Sequence, residues 1–308
     1  MGLKKEAAEK GLEVATDLVK NNASNVLGML FPFAGVKKKA IEMRMEQIEK
    51  SNLPDETKLA LILNMKDDLK RIKNQKAVAE IAVNEAKEGT DFSEKSGVNE
   101  EWFERYMDAA KFVNSEEMQL IWGKILAGEF EKPGSTPPNM TRILSEITPE
   151  LAQAFSKTCS MKVLVREINE KEINTIPKEL IVIPYSYYKV FFKRLGLSFE
   201  VLNELDTLGV LKYDEFWEDK ITSKQLLICT ENRFELIIKY DYTGFPAGNV
   251  MLTAVGESLS KIIEPIKIEG YHEMLKEYLI KNGVEFADIN DYIIEEKDGI
   301  FTVTKKNQ

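Results

Sequence analysis

Residues 98–144 read VNEEWFERYMDAAKFVNSEEMQLIWGKILAGEFEKPGSTPPNMTRIL, and this stretch decides the fold. Asn99 precedes a run in which Trp102, Phe103, Tyr106, Ala109 and Ala110 recur at spacings of three and four, the signature of a helix with one apolar stripe. Asn114, with Glu117 three residues on, predicts a capping box for a second helix, and Glu116 and Glu117 suit the positive end of its dipole. Met118, Ile121, Trp122, Ile125 and Leu126 then share a face. Gly123, Ala127 and Gly128 lie among them, small enough for another backbone to come close. Glu131-Lys132-Pro133-Gly134 reads as a turn, and Thr136-Pro137-Pro138 as a third helix start. A buried tryptophan usually finds a partner for its indole N–H, so Trp102 and Trp122 are expected to anchor a helix-on-helix core.

Working outward, the N-terminal side is helical. Leu3 to Lys20 carries Leu12, Ala15 and Val19 on one face. Ala23–Val36, ASNVLGMLFPFAGV, is uncharged and is followed by Lys37-Lys38-Lys39. At 14 residues it falls short of the roughly 20 that span a bilayer. It reads as a buried helix and turn, with Leu30, Phe31 and Phe33 as candidates for contact with a partner or a membrane surface. Lys37 to Lys50 continues as a charged helix. Pro54 opens a long one to about Lys87, with Leu59, Ile62, Leu63, Leu69, Ile72, Val78, Ala79 and Val83 as a stripe that thins toward its C-terminal half. Gly89 to Gly97 is polar and reads as a linker and hinge.

On the C-terminal side, Thr148-Pro149-Glu150 caps another helix. The β-branched runs Lys162 to Arg166 and Leu180 to Ile183 then predict strands. From Tyr187 come a helix, a second from Ser198 to Leu208 closed by Gly209, strands at Gln225–Cys229 and Phe234–Tyr240, a turn at Thr243–Gly248, Val250–Thr253, and a helix from Gly256. That order resembles a winged helix. The module Tyr185–Ile263 holds eleven acids against nine bases, and its second helix carries Glu200, Glu204 and Asp206, so a protein-binding or structural role is expected over DNA binding. Glu269 to Asn282 is a helix closed by Gly283, and Ile293-Ile294 with Ile300–Val303 form a hairpin across Asp298-Gly299.

The expected architecture is therefore mainly α with an α+β C-terminal part: an N-terminal helical bundle or long hairpin (1–88), a helical core (98–160), a winged-helix-like module (161–264) and a small α/β appendage (265–308). The chain has 308 residues, 44% hydrophobic and 30% charged, with a net charge of −9, which disfavours a general nucleic-acid binder but leaves room for local basic patches. Its two cysteines, Cys159 and Cys229, make no disulfide framework, and the charged N-terminus makes no signal peptide. Both point to the cytoplasm. The lone histidine, His272, is read as the exposed start of a surface helix; one histidine and two distant cysteines make neither a zinc set nor a triad. No phosphate-binding glycine loop is present. An enzyme would need a metal site assembled from carboxylates, for instance Glu116, Glu117 and Glu129, and the helical spacing of these three scatters them. No catalysis and no cofactor are expected.

The residues Trp102, Ser115-Glu116-Glu117-Met118-Gln119, Trp122-Gly123-Lys124-Ile125-Leu126-Ala127-Gly128-Glu129 and Pro133-Gly134-Ser135 together resemble a bacterial domain-of-unknown-function family, one loosely similar to the abortive infection alpha proteins. The family pattern continues into an R-T-L-like segment. Here Thr141-Arg142-Ile143-Leu144 departs from it in order and spacing, which leaves Arg142 without a role. The resemblance implies a bacterial cytosolic protein of phage defence that acts through protein contacts, with Trp102, Trp122, Gly123, Gly128 and Glu129 as its core or interaction residues. A DNA-binding regulator and an effector at the inner-membrane surface are the alternatives, and homo-oligomers are compatible with either.

Overall fold

A computed structural model describes residues 34–93, 95–167, 178–213, 220–221, 226–230, 233–240, 245–246, 250–297 and 300–306. The predicted helix Leu3–Lys20, the contact candidates Leu30, Phe31 and Phe33, and the turn at Thr243–Gly248 lie wholly or mostly outside them. The protein is mainly helical with an antiparallel sheet in its C-terminal part, and it divides into two compact units, Met1–Ser145 and Glu146–Gln308.

In the first unit, α1 (Ala34–Glu49) packs on α2 (Asp55–Glu85), followed by α3 (Glu100–Ala110), α4 (Glu116–Glu131) and α5 (Met140–Glu146). α2 begins after Pro54, its N-cap residue, and carries Asp55 and Glu56 in its first turn, at the positive end of its dipole. Its burial runs opposite to the expected thinning. Asn74, Gln75, Val78, Ala79 and Ala82 are buried in the C-terminal half, whereas Leu59 and Leu63 are exposed. The reason is tertiary: the C-terminal half is the part that meets α3 and α4. There Asn74 Nδ2 donates to Lys111 O (2.9 Å) and Gln75 Nε2 to Met107 O (2.8 Å), a carbonyl that also accepts from Lys111 N at 3.3 Å, so both side chains bind carbonyls at the end of α3.

Asn99 caps α3, its Oδ1 accepting from Trp102 N at 2.9 Å. The cap of α4 is Ser115, not Asn114: Ser115 Oγ accepts from Met118 N, while Asn114 Nδ2 donates to Phe112 O and its Oδ1 accepts from Asn74. The hydroxyl sits one residue nearer the first turn, and the carboxamide is already engaged. Two further corrections concern the flanks. Thr136-Pro137-Pro138 starts no helix, since α5 begins at Met140 after a turn. The Gly89–Gly97 stretch is no free hinge, because Phe92 is buried against Phe130 with ring centroids 4.9 Å apart.

The second unit opens with α6 (Pro149–Ser160), capped by Thr148 as expected, with Oγ1 accepting from Leu151 N. There follow β1 (Lys162–Glu167), β2 (Lys178–Ile181), α7 (Lys189–Arg194), α8 (Phe199–Leu208), β3 (Leu211–Tyr213), β4 (Lys220–Ile221), β5 (Leu226–Thr230), β6 (Arg233–Tyr240), β7 (Phe245–Pro246), β8 (Val250–Leu252), α9 (Ala254–Ser260), α10 (Tyr271–Lys281) and β9 (Val284–Phe286). A short 3-10 turn leads to the hairpin β10 (Tyr292–Lys297)–β11 (Ile300–Lys305). Seven strands form one sheet in the order β3-β8-β2-β1-β5-β6-β9, antiparallel throughout, and β4 pairs with β7. Ser198 caps α8, and Gly209 ends it at φ 92°, a left-handed conformation that costs glycine nothing. Thr253 Oγ1 donates to Gly209 O at 2.7 Å, tying the start of α9 to the end of α8. Tyr271 donates its hydroxyl to Met161 O and Val182 O, both at 3.0 Å, joining α10 to the strand ends.

Candidate functional site

The motif residues of the first unit converge, and their geometry explains the motif as packing chemistry. Tyr106 lies between the two tryptophans, its ring 4.8 Å from Trp102 (stacked) and 4.7 Å from Trp122 (tilted). Its hydroxyl donates to Trp122 O at 2.6 Å, so α3 is pinned to α4 by one ring and one hydrogen bond. Burial pushes the phenol well above its ordinary pKa. Trp122 is fully buried and Trp102 half-buried. Contrary to expectation, neither indole N–H has a hydrogen-bond partner among the described residues.

Gly123 sits where α4 crosses α2. A Cβ built on it would lie 2.2 Å from Ile81 Cγ2 and 2.6 Å from Ile81 Cβ, so only a residue without a side chain fits. Gly128 has no such neighbour, and its contribution is its carbonyl, which accepts from Ser135 Oγ at 3.2 Å. Glu129 is buried. Its Oε1 accepts from Gly134 N (2.6 Å) and its Oε2 from Thr136 N (2.8 Å). One carboxylate thus serves two backbone N–H groups of the 133–136 segment, in which Gly134 takes φ 78°. Sequence reasoning singled out Glu129 without finding this task. The signal available was a carboxylate four to five residues ahead of a Pro-Gly turn. Two residues on, Glu131 pairs with Lys87, whose backbone N and Nζ reach it at 2.9 and 2.8 Å. That hydrogen bonding holds the Glu131 carboxyl below its ordinary value and raises the Lys87 ammonium.

The carboxylates weighed for a metal do not assemble: Glu116 and Glu117 are exposed at the start of α4, and Glu129 is consumed by the turn. Among the described residues no group of three or more His, Cys, Asp or Glu could hold an ion. In the second unit His272 is buried, not exposed, and Nε2 lies 2.9 Å from Glu235 Oε1. Lys276 Nζ meets both Glu235 oxygens at 2.9 and 2.8 Å. The sequence could not reveal this cluster, because β6 and α10 are joined only by the tertiary fold. Cys159 is buried, and desolvation pushes its thiol up to about 12, which suits a packing residue and not a nucleophile.

The class these features define is a mainly helical, two-unit protein whose strongest sequence motif fastens helices and a turn. The chain belongs to the family described as "Protein of unknown function (DUF2806)", whose profile matches residues 63–276, from within α2 to within α10. No curated protein and no solved structure matches it. No helix among the described residues is long and apolar enough to cross a membrane.

Proposed function

We propose that the chain is a non-catalytic interaction protein that acts as sensor or effector in a bacterial antiphage, abortive-infection type of defence, in the cytoplasm or at the inner face of its membrane. The defence setting rests on the resemblance of the Trp122–Ser135 motif. The protein-contact role rests on one observation. From Asp55 to Lys73 no residue of α2 is buried, and Leu59, Leu61 and Leu63 are 60, 37 and 52% exposed. On the other helix of this hairpin Met43 is exposed as well. Large apolar side chains offered by two helices are material for a helical partner. In this reading the motif is the rigid base, and the α1–α2 hairpin is the element a partner grips.

The second unit supports a winged-helix-like reading. The chain runs α6, β1, β2, α7, α8, β3 and, further on, β8, and β8 lies between β3 and β2 in the sheet. In such a module α8 would face a duplex, and Glu200 and Glu204 are exposed on it, which favours a protein over DNA. A filter-binding titration at two salt concentrations tests the DNA alternative.

The deciding experiment is a phage challenge of cells carrying the intact chain or its Leu59→Asp/Leu63→Asp variant. Both positions are exposed, so the melting curve should barely move while protection is lost. Undiminished protection by the folded variant would remove the hairpin from the function.

A further inference from the structure

We infer that the surface around α7 binds single-stranded nucleic acid, with Tyr187 as the ring on which a base stacks and Lys189, Lys193 and Arg194 as the phosphate contacts. The chain carries 51 acidic residues, yet residues 180–199 hold three bases, six aromatic residues and no acid. The structure turns much of this composition outward. Tyr187 is 71% exposed and Val190 65%, and Ser186, Lys189, Lys193 and Arg194 are all exposed. The Tyr187 ring meets Tyr278 of α10 at an angle of 60°, centroids 5.7 Å apart, and Tyr188 meets the same ring at 6.4 Å. Tyr187 is thus braced by a buried neighbour while most of its surface stays open. An open ring that is already held in place loses little freedom when a base covers it.

The charges around it are partly spoken for. Lys193 lies within electrostatic reach of Glu200 at the start of α8. Lys281, whose Nζ lies 5.6 Å from the centre of the Tyr188 ring, is paired with Glu277. Among the described residues, no ion pair engages Lys189 or Arg194. Lys157, which donates to Leu195 O at 2.8 Å, adds a further positive charge at the end of α7.

An aromatic face beside a short row of cations is the arrangement that takes unpaired bases and their phosphates. A duplex keeps its bases stacked on each other and offers Tyr187 nothing but backbone. A bilayer would need a wider apolar face than Tyr187 and Val190 provide. This surface belongs to the second unit and the α1–α2 hairpin to the first, and different variants test them, so the two readings succeed or fail independently; together they would give the protein a nucleic-acid input and a protein output.

The test is fluorescence anisotropy with the full chain and labelled 20-nucleotide oligodeoxythymidylate and oligouridylate, beside a duplex of equal length. Anionic phospholipid vesicles and a poly-glutamate peptide serve as competitors. Binding of the single strands in preference to the duplex is expected. With about three phosphates engaged, the slope of log affinity against log salt should be roughly −2. Tyr187→Ala should weaken binding by about tenfold or more, Tyr187→Phe should leave it near the parent, and Lys189→Ala/Arg194→Ala should flatten the salt slope. All these positions are exposed, and unchanged circular dichroism melts would confirm intact folding. The inference is overturned by absence of single-strand binding at low salt, by equal or tighter duplex binding, by an unchanged affinity in Tyr187→Ala, or by vesicles or peptide outcompeting the oligonucleotides.

Discussion

Substituting Gly123 by alanine is the sharpest test of the packing argument. The added Cβ would stand 2.2 Å from Ile81 Cγ2, 2.6 Å from Ile81 Cβ and 3.3 Å from Ala82 N. The obstruction includes the branch point of Ile81, which cannot swing aside as a chain end would, so α2 and α4 must part. Overpacking of this kind costs about 1–3 kcal/mol. Alanine's better helix propensity returns up to about 1 kcal/mol. The expected net loss is about 1–2 kcal/mol, which lowers the Tm by roughly 3–8 °C for a unit of this size. The assay is urea and thermal denaturation followed by circular dichroism and tryptophan fluorescence. Trp122 is adjacent to the change and should report it. A second variant, Ile81→Ala, removes the obstructing atoms, so the double variant should be more stable than the two single losses predict, by about 1 kcal/mol. A Gly123→Ala protein as stable as the parent, or additive losses in the double variant, would refute the close crossing of α2 and α4.

Glu129→Ala strips two part-buried backbone N–H groups of their acceptor and should cost about 1–3 kcal/mol, seen as a lowered urea midpoint and faster proteolysis at Pro133–Thr136. Tyr106→Phe deletes one buried hydrogen bond and should cost about 1 kcal/mol. It should also change the alkaline limb of stability. The folded phenol is held above its ordinary pKa of 10.0, so stability present below that pH is lost as the unfolded phenol ionises above it, and the phenylalanine variant should lose this share of the decline. Cys159, with its thiol near 12, should resist iodoacetamide at pH 8 in the native protein and react on unfolding, as peptide mass spectrometry would show.

Local signals were readable where one or two neighbouring residues carry the physics. Asn99, Thr148 and Ser198 cap helices because a side-chain oxygen there can reach an N–H three residues on, and Gly209 ends α8 because it alone tolerates φ 92°. The strands at Lys162–Glu167 and Arg233–Tyr240 and the hairpin β10–β11 were visible as β-branched runs and their spacing. The motif, too, was visible as a motif. Its roles were not, because Gly123 has meaning only beside Ile81, and Glu129 only beside a turn that folds back on it.

The amino-acid order by itself thus determined most of the helices and the longer strands, the scarcity of histidine and cysteine, and the acidic character from which residues 180–199 stand out. The tertiary fold alone decided which half of α2 is buried, that the sheet runs β3-β8-β2-β1-β5-β6-β9, and that His272 is shut in with Glu235. The division has a physical cause. Caps, turns and periodicity are settled over a few residues of chain, whereas burial depends on which distant surface arrives to exclude water, and no local pattern encodes that arrival.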